Sequence, residues 1–133
     1  MKYMLDTNIC IYAMKNKPES VLKRLEENKK FGLCISSITL AELAHGVCKS
    51  VNREKNEVAL LKFLALLKVL PFDNSAAVEY GRICAYLQRR GMPIGTMDVL
   101  IAAHALSRSL VLITNNVREF ERVPGLTIEN WTE

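Results

Sequence analysis

Two histidines, one tryptophan and four scattered cysteines leave this chain of 133 residues little of what a zinc or disulfide protein needs. Cys10, Cys34, Cys48 and Cys84 form no Cys-x-x-Cys pair, and His45 and His104 are all the imidazole there is to add, so the spacing is too loose for a zinc site. All four cysteines fall inside apolar segments, which predicts buried free thiols in a reducing compartment. Both histidines fall on predicted helices and read as ordinary helix or core residues. There is no G-x-G-x-x-G and no Walker pattern, which argues against a dinucleotide or P-loop protein. No apolar helical segment is long and uncharged enough to cross a bilayer. The first apolar run is interrupted by Asp6 and lacks a small-residue cleavage site, so it does not read as a signal peptide, and a cytoplasmic protein is expected. No repeat, low-complexity tract or linker divides the chain, so residues 1–133 are expected to form a single domain around one real core.

What the sequence does have is apolar patterning. Half the residues are hydrophobic and a quarter charged, with a formal net charge of +4 that is compatible with an anionic partner but does not demand one. A strand-like stretch runs from Tyr3 to Tyr12, with Asp6-Thr7-Asn8 set into it. Lys15 to Pro18 reads as a loop, with Pro18 in the first turn of a helix that carries Val21, Leu22 and Leu25. Six cations against three acids leave residues 15–30 with a net +3, the signature of a solvated helix face. Gly32 ends that helix and Leu33–Ser36 forms a second strand. A helix then starts at Ser37 or Thr39 and runs through Leu40, Leu43, Ala44 and Val47.

Residues 53–68 predict an amphipathic helix with Val58, Leu61, Leu64 and Ala65 inward, and Val69–Phe72 an edge strand that tolerates Pro71. Asp73 is expected to cap a helix carrying Ala77, Tyr80, Ile83, Cys84 and Leu87 and stopping at Arg89-Arg90-Gly91. A turn-rich segment, Pro93 to Asp98, leads into a helix over Val99–Ser107. Leu110–Thr114 is the most continuous strand, Val117–Phe120 a helical turn, and Leu126–Glu129 a last strand. Alternation of this kind implies right-handed crossovers and a mostly parallel sheet wrapped by helices.

Three acids stand out. Asp6, Glu42 and Asp98 each follow a strand or open a helix in an apolar setting, places that converge on one edge of a doubly wound sheet. A plain capping role accounts for each singly: Asp6 before a helix, Glu42 at the third position of a Thr39-Leu40-Ala41-Glu42 capping box. Gathered at one edge, they would repel one another without a cation between them. An all-oxygen ligand set favours Mg²⁺ or Mn²⁺ over zinc. Such a centre suits phosphodiester cleavage.

Four ordered stretches carry a resemblance: Leu5-Asp6-Thr7-Asn8, Ser36 to Leu43, Pro93 to Ala105, and Thr114-Asn115-Asn116-Val117-Arg118-Glu119-Phe120. Together they resemble the PIN domains, metal-dependent ribonucleases of three-layer α/β/α fold, and among these the VapC toxins of bacterial toxin–antitoxin pairs. The resemblance implies that Asp6, Glu42 and Asp98 hold Mg²⁺ or Mn²⁺, that Thr7 and Asn8 support the first carboxylate, and that Thr114 lies at the rim. Asn116, counted with the three acids as a catalytic candidate, stands where many PIN domains carry a fourth acid; it offers an amide oxygen but brings no negative charge. Glu119, nearby, could compensate for that missing charge, although it reads first as a surface or ion-pair residue. Lys15, Lys17, Arg89 and Arg90 are candidate phosphate contacts, while so few aromatics leave no evident stacking platform for RNA.

The implied activity is endoribonuclease action on RNA, with the anticodon stem-loop of initiator tRNA the favoured target and translation the process inhibited. The implied partners are a VapB-like antitoxin, a second copy of the chain and a larger assembly of the two proteins. The rivals are a metal-dependent phosphatase or nucleotide hydrolase on the same acidic edge, and a non-catalytic RNA-binding module in which the acids are only caps.

Overall fold

The computed structural model describes every residue from Met1 to Glu133. In chain order its elements are β1 (Tyr3–Leu5), α1 (Thr7–Lys15), α2 (Glu19–Asn28), a 3₁₀ turn (Lys29–Phe31), β2 (Leu33–Ser36), α3 (Ser37–Lys49) and α4 (Arg53–Leu64). There follow β3 (Lys68–Leu70), α5 (Asn74–Arg89), α6 (Thr96–Ser107), β4 (Val111–Ile113), α7 (Val117–Phe120) and β5 (Ile128–Glu129). The strands form one five-stranded sheet in the order β3-β2-β1-β4-β5, and every pairing is parallel.

Strand pleating sorts the core into two layers, because successive side chains point to opposite faces. Tyr3, Leu5, Ile35 and Ile113 face one side, where α1 to α4 supply Ile9, Cys10, Val21, Leu43, Leu60 and Phe63. Met4, Cys34 and Leu112 face the other, where α5 to α7 supply Ile83, Leu87, Val99, Ile101 and Phe120. The result is the three-layer α/β/α arrangement expected, with the sheet wholly rather than mostly parallel. β1 is central and buried throughout. The chain builds outward from it through β2 to β3, then returns to add β4 and β5 on its other side. That reversal makes the carboxyl ends of β1 and β4 the crevice where open parallel sheets bind ligands.

Several local expectations need correction. The strand-like stretch is a strand only as far as Leu5. Asp6 caps α1, and Ile9, Cys10 and Ala13 turn one helical face into the core, so a run rich in strand formers is helical because the cap and the helical period agree. Pro18 is the cap of α2 rather than a first-turn residue. On α4 the buried residues are Leu60 and Phe63, while Val58, Leu61 and Ala65 are exposed. Apolar residues encircle that helix, and the large ring of Phe63 decides which side faces inward. α5 buries Ala76 in place of Ala77. All four cysteines are free, but Cys48 is exposed and Cys84 half-buried, since both lie in apolar segments on helices of which only one face is covered. Asp73 does cap α5, its Oδ1 accepting from the Ala76 amide at 3.1 Å.

Candidate active site

Asp6 follows β1 directly and is only 4% exposed. Its Oδ1 accepts a hydrogen bond from the Ile9 amide at 2.9 Å, so the capping role is real. The cap does not explain the burial of a charge, which is costly without a partner. Burial pushes the Asp6 pKa up to about 6, hydrogen bonding from Thr114 and Ile9 holds it down in part, and the charges of Asp98 and Glu42 raise it further. Thr114 is fully buried at the end of β4, the neighbouring strand, and its hydroxyl also accepts from the Asn116 amide at 2.9 Å.

Glu42 reaches the same edge from α3. The capping box is not formed: the cap of α3 is Ser36, whose hydroxyl accepts from the Ile38 amide at 3.1 Å, so Glu42 lies in the second turn. Its Oε1 instead accepts from the Thr7 hydroxyl at 2.5 Å. Thr7 therefore supports Glu42 rather than Asp6, and Asn8 is exposed and bonded to neither. Ser36 has a second role. Its hydroxyl lies 2.7 Å from Nδ1 of His104, a fully buried residue of α6, and so ties the helix carrying Glu42 to the helix carrying Asp98. His104 is packed edge-on against Phe72, and burial holds its pKa below the usual imidazole value. His104 has no other hydrogen-bond partner for its ring. Ser36→Ala is thus expected to destabilise the fold by about 2–3 kcal/mol, a lost cap plus an orphaned buried ring nitrogen, as read by urea denaturation.

Asp98 stands in the first turn of α6, half-buried. Its pKa is raised by burial first, then by the charge of Glu119, then by that of Glu42. Asn116 donates from its side-chain amide to Glu119 Oε2 at 3.2 Å. Glu119 takes part in none of the chain's four ion pairs, which leaves the other readings of it. It is a fourth acid of this edge, displaced by one turn of α7 from the position that Asn116 holds. The i, i+3 spacing of Asn116 and Glu119 is the sequence signal that reveals it, once the short helix is known to form.

None of Asp6, Glu42 and Asp98 has a cationic partner either. Mutually repelling carboxylates without a counter-charge fit a bound cation, and their oxygen donors suit a hard divalent ion. No three acid, imidazole or thiolate groups converge tightly enough to enclose an ion by themselves. Mg²⁺ rarely asks for that, since it takes one or two carboxylates and completes its shell with water and phosphate oxygens.

Of the candidate phosphate contacts, Lys15 borders a cleft of about 260 Å³ between α1, α3 and α4, which Glu42 also lines. Lys17 is exposed in the loop beyond α1. Arg89 lines a separate hollow with Glu79, Arg82 and Tyr86, and Arg90 lies over the Tyr86 ring at 4.6 Å. None of the three acids lines that hollow, so Lys15 shares a cleft with one of the acids, Glu42, and the two arginines share one with none.

The PIN domain family matches residues 3–126. The chain is 50% identical over 131 residues to the tRNA(fMet)-specific endonuclease VapC of Salmonella typhimurium, with 98% of each chain covered. It is 49% identical over 132 residues to the protein of the same name from Shigella flexneri, with 99% of each covered. Among solved structures, VapBC2 of Rickettsia felis, bound to a DNA fragment from its promoter, superimposes with a TM-score of 0.94 at 44% identity, covering 98% of this chain and 99% of that one. With nearly every residue inside these matches and the acids at the crevice of a PIN-type sheet, the chain belongs to the PIN-domain family, among its VapC ribonucleases.

Proposed function

We propose that this ribonuclease is a toxin that depends on Mg²⁺, with Mn²⁺ able to replace it, and that it cuts a tRNA. The anticodon stem-loop of initiator tRNA is the favoured target, which would stop translation. The observation that carries the reading is the buried, cation-free carboxylate of Asp6, facing the charges of Glu42 and Asp98 at the crevice. The substrate reading is supported by half-identity to two proteins named for tRNA(fMet). A VapB-like antitoxin is the proposed partner, supported by likeness to VapBC2, and a homodimer within a larger toxin–antitoxin assembly the proposed form.

Asp6 and Asp98 would hold the ion, with Glu42 completing the acidic wall. The chemistry an ion there supplies is polarisation of a phosphoryl oxygen and neutralisation of the charge developing on it. The Ile9 amide holds the Asp6 carboxylate, and the Thr7 hydroxyl holds that of Glu42. Such fixed carboxylates need little reorganisation during the reaction. Glu42, with one oxygen engaged by Thr7, keeps the other available to orient or deprotonate an attacking water. Asn116 holds Glu119 by its amide, keeping that fourth charge beside Asp98.

The test is cleavage of total tRNA by the antitoxin-free protein. One discrete product from initiator tRNA is expected in Mg²⁺, none in EDTA, and recovery on adding Mn²⁺. Cleavage that persists in EDTA, or an absence of any product from folded protein, would contradict the reading.

A further inference from the structure

At the opposite end of the sheet from the acids, the structure gathers aromatic rings that the sequence scatters. Lys2 precedes β1 and Phe31 precedes β2, whereas Asp6 and Ser36 follow the carboxyl ends of those same parallel strands. Tyr3 packs edge-on against both Phe31 and Trp131, with ring centroids 6.5 and 5.1 Å apart. Lys2 Nζ lies 5.2 Å from the Tyr3 ring and 5.3 Å from the Phe31 ring, and Lys30 Nζ lies 5.2 Å from Phe31. Arg24 covers Trp131 at 5.6 Å. A chain of this length ordinarily shows about two cation–π contacts; here four meet at one end.

Two features separate this end from an ordinary solvated face. Phe31 is 44% exposed, the most exposed of the nine aromatic side chains. Gly32, at φ 90°, fixes the turn that presents it, since an added Cβ would lie 2.9 Å from the Met1 Cα. The charge there is also uncompensated: Glu129 pairs with Arg24 and Glu26 with Lys29, while Lys2 and Lys30 have no acidic partner. An exposed ring flanked by two cations that lack an acidic partner can seat an unpaired nucleotide, the base displacing the ammonium groups from the ring and its phosphates pairing with them.

We infer that Phe31, Lys2 and Lys30 form a second RNA contact, which holds an unpaired nucleotide of the substrate away from the cleavage point. The inference rests on the ribonuclease reading. About 13 Å of backbone, four residues at strand rise, separates Lys2 from Asp6. A long RNA can therefore touch both edges, and one trimmed to the nucleotides beside the cut touches only the acids. The contact adds affinity for long substrates and leaves the chemistry alone.

The test compares full-length initiator tRNA with a trimmed stem-loop, in wild type, Phe31→Leu, Phe31→Tyr and the double variant Lys2→Ala, Lys30→Ala. Phe31→Leu is expected to raise KM for the full-length tRNA about fivefold or more at unchanged kcat, with Phe31→Tyr restoring it, because stacking needs a π face. The lysine variant should flatten the logarithmic salt dependence of tRNA binding by about 1.4, the share of two phosphate contacts. All variants should cut the trimmed RNA at the wild-type rate. Unchanged KM and tRNA affinity in Phe31→Leu, or no rescue by tyrosine, would overturn the contact while leaving the nuclease standing. If wild type cuts neither RNA, the ribonuclease reading fails, and fluorescence anisotropy of tRNA binding with the same variants still decides the contact.

Discussion

Asp98→Asn is expected to lower cleavage of tRNA more than about 100-fold, since loss of groups that merely orient metal ligands already costs 10–100-fold. The substitution keeps the shape of the side chain and removes one charge from the first turn of α6. Two opposing effects on stability follow. An acid in a first turn gains about 0.3–1 kcal/mol from the helix dipole, and that is lost. The repulsion from Glu119 and Glu42 that raises the Asp98 pKa is relieved. Thermal melting should therefore shift little, and tRNA affinity should hold or rise as negative charge leaves the site. Single-turnover cleavage and anisotropy, read on the same preparation, check both. A variant that melts like wild type and still cuts at a comparable rate would remove Asp98 from the site.

Asp6→Asn is expected to abolish cleavage and at the same time stabilise the metal-free protein. Asparagine caps helices as well as aspartate, so the Ile9 amide keeps its partner. What disappears is the cost of an ionised buried group. The Asp6 pKa is about 6 in the fold against 3.8 as its ordinary value. The folded protein thus retains a proton that the unfolded chain gives up between these values, and stability falls as pH rises through that window. Above pH 6 the cost is fully present, with a ceiling of about 3 kcal/mol. The variant should melt higher than wild type at pH 7.5 in EDTA, with the gain vanishing below about pH 3, where both states are protonated. A lower melting temperature at pH 7.5 would mean that Asp6 is a cap and nothing more. Stability gained with activity lost is the mark of a residue kept for function.

Much of this was legible in the residues. Continuous apolar runs located β1, β2 and β4, and turn chemistry located Gly32 and Asp73, because local sterics decide those features. Decisions made by tertiary packing were not legible. Ile9 to Tyr12 have strand propensity, yet they continue from a capping aspartate and fall into helical register with Ala13. Thr39 to Glu42 spells a capping box, but the strand ends one residue before Ser37, so Ser36 takes the cap and frees Glu42 for Thr7. The same freedom makes Glu42 more available for chemistry than the box would have. Glu119 was legible as a candidate substitute for the missing fourth acid, but only α7 puts its charge near enough to raise the Asp98 pKa. Three rings far apart in the chain meet because β1, the turn before β2 and the segment after β5 pack against one another. No periodicity within a single segment encodes that meeting.

The charge distribution links these results. Acids occupy the carboxyl edge, where burial first and mutual repulsion second raise the pKa values of Asp6 and Asp98, and lysines without acidic partners lie beside Phe31. A polyanion meets repulsion at the acids until a cation is present and attraction at the lysines. Metal dependence and substrate affinity are in this way assigned to different ends of one small sheet.

The most direct measurement is anomalous diffraction from crystals grown with Mn²⁺. The account predicts a peak within coordinating reach of the Asp6 and Asp98 carboxylates, lost in Asp98→Asn. A fully occupied Mn²⁺ elsewhere on the protein, with no density at this edge, would contradict it.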